Sequence, residues 1–214
     1  MTTVRSGSSR TERKRQAVLD AASELFLRDG YAGTSMDQVA ALAGVSKQTV
    51  YAQFLSKEAL FISLVHGMTQ AAGNVVQQGM EALPPRTGLS EHLTAYAIRQ
   101  LEVARSPRLM QLRRLVIAEV ERFPELGKAL YEGGPGRAIS GLAVAFTAWS
   151  KQGLLCVSDA KIAATQFNWL VMAEPVNRAM LLGDAGVPGP AELRRHAKEA
   201  VRIFMAAYGP DERK

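Results

Sequence analysis

The sequence predicts an all-α protein of about nine helices. Apolar residues recur at helical spacing along most of the chain, and no segment shows the alternation and β-branched enrichment of a β-strand. Glycines, prolines and capping serines separate the periodic stretches. The composition of the 214 residues, 47% hydrophobic and 21% charged, is typical of a folded globular chain rather than a disordered one.

The chain begins with a basic arm that leads into the first helix. Residues 1–10 are rich in Ser, Thr and Gly, and we interpret them as a flexible arm. The helical period then covers about 11–29, and Gly30 is suited to end it. Basic residues cluster at the junction: Arg10, Arg13, Lys14 and Arg15. With a formal net charge of +6, this cluster favours a polyanionic partner.

Two short helices joined by a tight turn follow, in the pattern of a helix-turn-helix unit. Ser35 and Ser46 are good N-caps for the second and third helices. Gly44 suits the turn between them, because glycine adopts a left-handed conformation at little cost. Val45 and Val50 are spaced to hold the third helix against the second.

The polar residues around this turn are suited to duplex DNA. Positions 38–57 contain no Asp or Glu, which would repel phosphates. Glutamine can pair with adenine, lysine can reach guanine, and tyrosine can donate to a phosphate. Each residue singly is also compatible with an ordinary solvated surface, but their combination favours DNA contact. The predicted contact residues are Ser35, Ser46, Lys47, Gln48, Thr49, Tyr51, Gln53 and Lys57.

Three motifs fix residue identity at many spacings at once: A-x-x-L-F-x-x-x-G-Y at 22–31, T-S-M at 34–36, and A-x-x-A-G-V-S-x-x-T-V-Y-x-x-F-x-S-K-E-x-L at 40–60. The chain there resembles the DNA-binding domain of TetR-family transcriptional regulators. The resemblance implies a homodimer on a pseudo-palindromic operator and a C-terminal effector domain. It implies DNA contacts by Ser35, Lys47, Gln48, Thr49, Tyr51 and Lys57, the first and last mainly to phosphates. Ala52 departs from the pattern, since many members carry an aromatic there. The stretch 112–146 is similar to the AefR-like C-terminal type.

A helical bundle is expected in the rest of the chain. Ser56 caps a fourth helix that Pro84-Pro85 ends, and Ser90 caps the next. Further helices are predicted at 107–122, 124–132, 136–152, 159–183 and 190–208. We therefore expect an arm at 1–10, a helix-turn-helix domain at 11–56 that extends into the fourth helix to about 71, and an effector-binding and dimerisation domain at 57–214.

The last two helices predict self-association. Helix 159–183 is apolar nearly all round, so both of its sides need cover, whereas helix 190–208 has one apolar stripe opposite basic residues. A second copy of the same helices would provide that cover in an isologous interface. The alternative is complete burial within a monomer. We expect a homodimer through these two helices.

Aromatic and methionine side chains in the bundle are candidates for the lining of a small, largely apolar effector, although they fill cores equally well. The predicted pocket residues are Phe61, Met68, His92, Tyr96, Met110, Phe146, Trp149, Phe167, Trp169 and Glu174, with Met80 as a further candidate. Glu174 either pairs with Arg178 four residues later or faces a cationic ligand.

The remaining motifs argue against other function classes. The three histidines have no metal-binding spacing, and the glycine run at 133–136 lacks the lysine of a phosphate-binding loop. The single Cys156 excludes an intramolecular disulfide and a multi-cysteine metal site. No apolar run approaches the roughly 20 residues of a membrane span. We expect a cytoplasmic regulator that is not an enzyme and has no cofactor. The alternative is a basic helical module that binds nucleic acid or another partner without an effector.

Overall fold

The computed structural model of the chain describes residues 10–78 and 88–210, which form ten α-helices without a strand. The all-α prediction is confirmed. The helices are α1 (Arg10–Gly33), α2 (Met36–Leu42), α3 (Lys47–Phe54), α4 (Lys57–Gln77), α5 (Leu89–Ala104), α6 (Pro107–Glu119), α7 (Pro124–Tyr131), α8 (Arg137–Lys151), α9 (Ala160–Leu182) and α10 (Pro190–Tyr208). Most of the predicted arm, Met80 and Pro84-Pro85 lie outside the described residues.

The helix termini follow most of the local signals, with differences at Gly30 and Ser90. Gly30 has φ 76° and ψ 175°, so helical geometry is interrupted there although α1 resumes to Gly33. The hydroxyl of Ser56 accepts a hydrogen bond from the amide of Ala59 at 3.1 Å, as expected of a cap for α4. In place of the predicted cap Ser90, Gly88 is the N-cap of α5. Leu89 is buried in the core, which fixes the first helical residue one position before Ser90.

The helices pack in two units, and the first contains the described residues up to Gly67 together with 115–129. Its core is built around aromatic rings that contact one another at tilted or edge-on angles. The ring centroid of Phe61 lies 4.8 Å from that of Phe26 and 5.3 Å from that of Tyr31. Tyr31 in turn contacts Phe123 at 4.8 Å, which is how the segment between α6 and α7 joins the N-terminal helices.

The second unit contains residues 68–114 and 130–210 of the described chain. Phe146 of α8, Phe167 of α9 and Phe204 of α10 meet at its centre, with Phe204 5.0 Å from each of the other two rings. A short segment of wide, π-type turn, Glu132–Gly136, separates α7 from α8 and includes Pro135. A tight 3₁₀ turn, Gly183–Gly186, follows α9.

Helix α4 has the length and composition of a membrane span, with a mean hydropathy of 1.2, contrary to the prediction that no apolar run approaches this. Core helices of bundles pass the same test, because they too are long and apolar. Leu60, Phe61, Leu64 and Val65 of α4 are buried in the first unit. At least these apolar side chains of α4 therefore pack in the core of the protein.

Candidate nucleic-acid interface and ligand cavity

Side-chain caps fix both helices of the helix-turn-helix. The hydroxyl of Ser35 accepts from the amide of Gln38 at 3.2 Å, while the amide of Ser35 donates to the side chain of Gln38 at 2.8 Å. This reciprocal pair is a capping box. The hydroxyl of Ser46 likewise accepts from the amide of Thr49 at 3.2 Å. Both serines are exposed at helix N-termini, where a phosphate would meet favourable backbone dipoles.

The turn between α2 and α3 has the predicted geometry. Gly44 has φ 64°, in the left-handed region that favours glycine. The amide of Val45 donates to the carbonyl oxygen of Ala40 at 3.1 Å, which closes the turn. Val50 and Phe54 are buried at 0% and 3%, as expected for the inward face of α3. The opposite face of α3 is therefore oriented towards solvent.

Most of the predicted contact residues lie on that outward face. Lys47, Gln48 and Tyr51 are exposed, and the ring of Tyr51 is 40% exposed. Thr49 is half-buried, with its hydroxyl 2.8 Å from that of Ser46. Gln53 is also half-buried, and its Oε1 has no hydrogen-bond partner among the described residues. The exposed part of α3 is thus centred on its first turn and Tyr51.

One carboxylate lies just before the acid-free stretch and interacts with it. The ammonium of Lys47 is 2.7 Å from Oδ1 of Asp37, and this hydrogen bond and charge raise the pKa of Lys47. Both side chains are more than half exposed. Ion pairs between exposed side chains contribute little to stability, because both partners are well solvated when they separate. Exchange of Asp37 for a DNA acceptor is therefore energetically accessible to Lys47.

Lys57 is held by its own unit rather than extended into solvent. Its ammonium donates to the carbonyl oxygens of Tyr31 at 2.9 Å and Thr34 at 3.0 Å. It also lies 4.3 Å from the centre of the Tyr31 ring, in a cation–π contact. Lysine has three N–H donors, so one remains for a phosphate. Lys57 thereby ties the start of α4 to the end of α1.

Five of the predicted pocket residues come together in the core of the second unit. His92 contacts Trp149 at 5.6 Å between ring centroids, and Trp149 contacts Phe146 at 5.7 Å. Phe167 lies 6.0 Å from Phe146 and 6.3 Å from Tyr96. Burial lowers the pKa of His92 and raises that of Tyr96. Tyr96, Phe146, Trp149 and Phe167 are buried in this core, whereas His92 is half-buried. The Nε2 atom of His92 and the hydroxyl of Tyr96 are buried without a hydrogen-bond partner among the described residues.

The other predicted pocket residues are dispersed. Phe61 belongs to the aromatic core of the first unit, and Met110 is fully buried while Met68 is half-buried. Trp169 is 45% exposed. The carboxylate of Glu174 is exposed and lies 3.6 Å from Arg178, which is the pairing alternative considered for it. Arg178 makes a closer contact, 2.7 Å, with Glu192.

A cavity of about 70 Å³ lies elsewhere in the second unit. Its walls come from α4, α5, α6, the segment 130–138 and one residue of α9, and none of the ten predicted pocket residues lines it. The polar lining residues are Thr69, Gln77, Gln100, Arg113 and Arg137, and the remaining lining is almost entirely apolar or glycine. An amphipathic small molecule is the kind of ligand that such a lining suits.

Arg113 is one of the lining residues that the sequence did not predict. Its neighbours at helical spacing, Leu109, Met110, Val116 and Ile117, are all apolar. A cation in the centre of an apolar stripe is the signal that could have identified it, because such a charge needs an unusual environment. Among the described residues, no group of three or more His, Cys, Asp or Glu side chains could hold a metal ion.

Comparison with known proteins agrees with this geometry. Residues 18–64 match the family described as bacterial regulatory proteins, tetR family, and residues 91–210 match the C-terminal domain of AefR-like transcriptional repressors. The HTH-type transcriptional regulator RutR of Escherichia coli K12 is 30% identical over 146 residues. That match covers 68% of this chain and 66%, just under two thirds, of RutR.

Solved structures resemble nearly the whole chain. A TetR-family transcriptional regulator from Mesorhizobium loti has a TM-score of 0.87 and 35% identity, covering 94% of this chain and 100% of that one. The flavonoid-responsive regulator FrrA has a TM-score of 0.77 and 33% identity, with 93% and 98% covered. The second family match alone spans more than half of the chain. The protein therefore belongs to the TetR family of DNA-binding transcriptional regulators, with a C-terminal domain of the AefR-like type.

Proposed function

We propose that this regulator is a dimeric repressor, which binds a pseudo-palindromic operator and leaves it when a small molecule binds its C-terminal domain. The observation that carries the DNA-binding part is the outward face of α3. Lys47, Gln48 and Tyr51 are exposed there, while Val50 and Phe54 hold the helix from behind. A helix face without carboxylates, whose opposite side is packed in the core, is suited to a major groove.

The dimer would form through α9 and α10, as the sequence predicts. Large apolar side chains remain exposed on both helices, including Ile162 at 54%, Trp169 at 45% and Ile203 at 42%. Exposed aromatic and aliphatic groups of this size are typical of association surfaces. A two-fold interface would present two α3 helices to successive turns of the duplex, about 34–36 Å apart or a modest extension of that.

Release by a small molecule is supported by the family and by the cavity. FrrA, at 33% identity, is described as flavonoid-responsive. The cavity in the second unit is lined by the C-terminal half of α4, whose first residue is Lys57. A ligand that favours a displaced position of α4 would shift the population away from the DNA-binding state, for which a differential affinity of roughly 1–3 kcal/mol suffices. Such a regulator acts on DNA in the cytoplasm.

The DNA-binding part is tested by selection of bound duplexes from a random pool, followed by affinity measurements on the selected site. We expect a palindrome preferred over random duplex by about 10³-fold or more. Tyr51→Ala and Lys47→Ala should each weaken binding about tenfold or more without a change in melting temperature. Tyr131→Ala and Lys151→Ala are matched controls, since both side chains are exposed outside the helix-turn-helix.

Two outcomes would contradict the proposal. A strong salt dependence without sequence preference would indicate the alternative, a non-specific basic module. If Tyr51→Ala lowers the melting temperature together with DNA affinity, Tyr51 is a structural residue rather than a DNA contact.

A further inference from the structure

The guanidinium of Arg113 is a half-buried cation that nothing in the described chain neutralises. Its Nε is fully buried without a hydrogen-bond partner, and no ion pair or hydrogen bond joins its other nitrogens to residues 10–78 or 88–210. Burial lowers the pKa of Arg113, as expected where a charge is poorly solvated. Arginine stays protonated nevertheless, so the site retains a positive charge with unused donors.

The charged side chains that line the cavity of Arg113 are all positive. Arg137 lines it as well, and no Asp or Glu is among its lining residues. Unlike Arg113, Arg137 forms hydrogen bonds within the chain: it donates to Oδ1 of Asn74 at 2.7 Å and to the carbonyl oxygen of Gln70 at 3.4 Å. Two guanidinium groups without a carboxylate give the cavity a positive potential, which favours an anion.

A buried amide pair adds a second unsatisfied group to the cavity wall. Nε2 of Gln100 donates to Oδ1 of Asn168 at 2.7 Å, which leaves Oε1 of Gln100 and Nδ2 of Asn168 buried without partners. Exchange of nitrogen and oxygen in both amides would leave one donor and one acceptor in the same way. Gln100 lines the cavity, so a polar atom of a ligand could satisfy it.

We infer that the effector of this regulator is an organic anion: a mainly apolar molecule whose carboxylate binds the guanidinium of Arg113. The inference rests on the proposed ligand-responsive function and specifies the chemical class of its ligand. Charge-assisted hydrogen bonds to a carboxylate are the strongest that an arginine can form, and they are planar and bidentate. The apolar lining, which includes Val76, Leu109 and Met172, receives the rest of the molecule.

The size of the cavity determines how such a molecule enters. A volume of about 70 Å³ is smaller than the roughly 150 Å³ cavity that holds a benzene ring, so it accommodates a carboxylate and a short chain as it stands. A larger ligand must displace part of the wall. The irregular part of that wall is the turn Glu132–Gly136, where Gly134 has the non-helical angles φ −102° and ψ −106°. Binding of a full-sized effector is thereby coupled to a change in conformation.

The test compares acids with neutral molecules of the same shape. Thermal unfolding of the full chain in chloride-free buffer is measured with butyrate against butyramide and with benzoate against benzamide. We expect at least one acid to raise the melting temperature by roughly 3–6 °C at about ten times its Kd, and its amide to have no effect. The response should vanish in Arg113→Met.

Arg113→Met has a second expected effect that separates a ligand-binding role from a structural one. Without ligand it should leave the melting temperature unchanged or raise it, because it removes a half-buried charge that has no partner among the described residues. Arg137→Met is the matched control from the same cavity. It should lower the melting temperature, because it breaks two hydrogen bonds to α4, and it should keep the response to the acid.

Equal stabilisation by acid and amide, an equal response to chloride, or an unchanged response in Arg113→Met would overturn the inference. So would a lower melting temperature of unliganded Arg113→Met, since that would assign Arg113 a structural role. Operator affinity distinguishes this inference from the proposed function. An acid that binds through Arg113 without weakening operator binding upholds the anion site and refutes release by ligand. Release by the neutral amides alone upholds ligand control and refutes the anion site.

Discussion

The turn between α2 and α3 gives the sharpest test of how the recognition helix is positioned. Gly44 has φ 64°, whereas Gly67 lies inside α4, and a Cβ added at either position would meet no atom within 4 Å. The same substitution, Gly→Ala, therefore differs at the two sites only in backbone conformation. At Gly44 a left-handed alanine costs about 1–2 kcal/mol. At Gly67 an alanine gains roughly 0.5–1 kcal/mol, because glycine is a poor helix former.

These energies predict melting-temperature changes of opposite sign. For a chain of this length, 1 kcal/mol corresponds to about 2–4 °C. Gly44→Ala should lower the melting temperature by roughly 2–8 °C and Gly67→Ala should raise it by roughly 1–4 °C. Gly44→Val should lower the melting temperature more than Gly44→Ala does, because β-branched residues resist positive φ. It should also weaken operator binding. Stabilisation by Gly44→Ala, or normal operator binding by Gly44→Val, would refute the assignment of the turn.

Two further predictions concern the second unit. Burial lowers the pKa of His92 below its ordinary value of 6.5, and the charge of Arg99 makes a smaller contribution in the same direction. Below this ordinary value the unfolded chain therefore binds a proton at His92 more readily than the folded chain does. The free energy of unfolding should be constant above about pH 6.5 and should decrease as the pH is lowered below that value. Chemical unfolding at several pH values should show a smaller decrease for His92→Gln. Trp169→Glu should give a folded monomer near 23 kDa by light scattering at micromolar concentration, whereas the unmodified chain should be a dimer. A monomeric unmodified chain would contradict the proposed interface.

The helix-turn-helix could be predicted nearly residue by residue, because its signals are local. A serine that caps a helix, a glycine in a left-handed turn and a valine three or four residues away act within a few positions of the chain. Ser35, Gly44, Ser46 and Val50 each have the predicted conformation or burial. Asp37 shows the limit of this approach. It stands one position before the stretch without carboxylates, yet its side chain reaches Lys47 ten residues later.

The interior of the second unit could not be predicted in the same way. Aromatic and methionine residues mark both cores and pockets, and only the packing distinguishes them. Phe146, Trp149 and Phe167 fill the core, whereas the cavity is lined by small or aliphatic residues such as Ala72, Gly73 and Val103. A cavity forms where the side chains of neighbouring helices leave space unfilled. Its position depends on contacts between residues far apart in sequence, such as Gln100 with Asn168.

The chain connectivity explains how a ligand in the cavity could affect DNA binding without contact to the recognition helix. Two of the helices that line the cavity, α4 and α6, are also divided between the two units: α4 at Gly67 and α6 at Arg114. Lys57 at the start of α4 and Phe123 just after α6 both contact Tyr31, at the end of the helix that precedes the helix-turn-helix. A carboxylate bound to Arg113 acts on α6 one residue before that division. The proposed release of DNA would therefore have to act through α4 and α6, the two helices that line the cavity and continue into the unit that contains Tyr31.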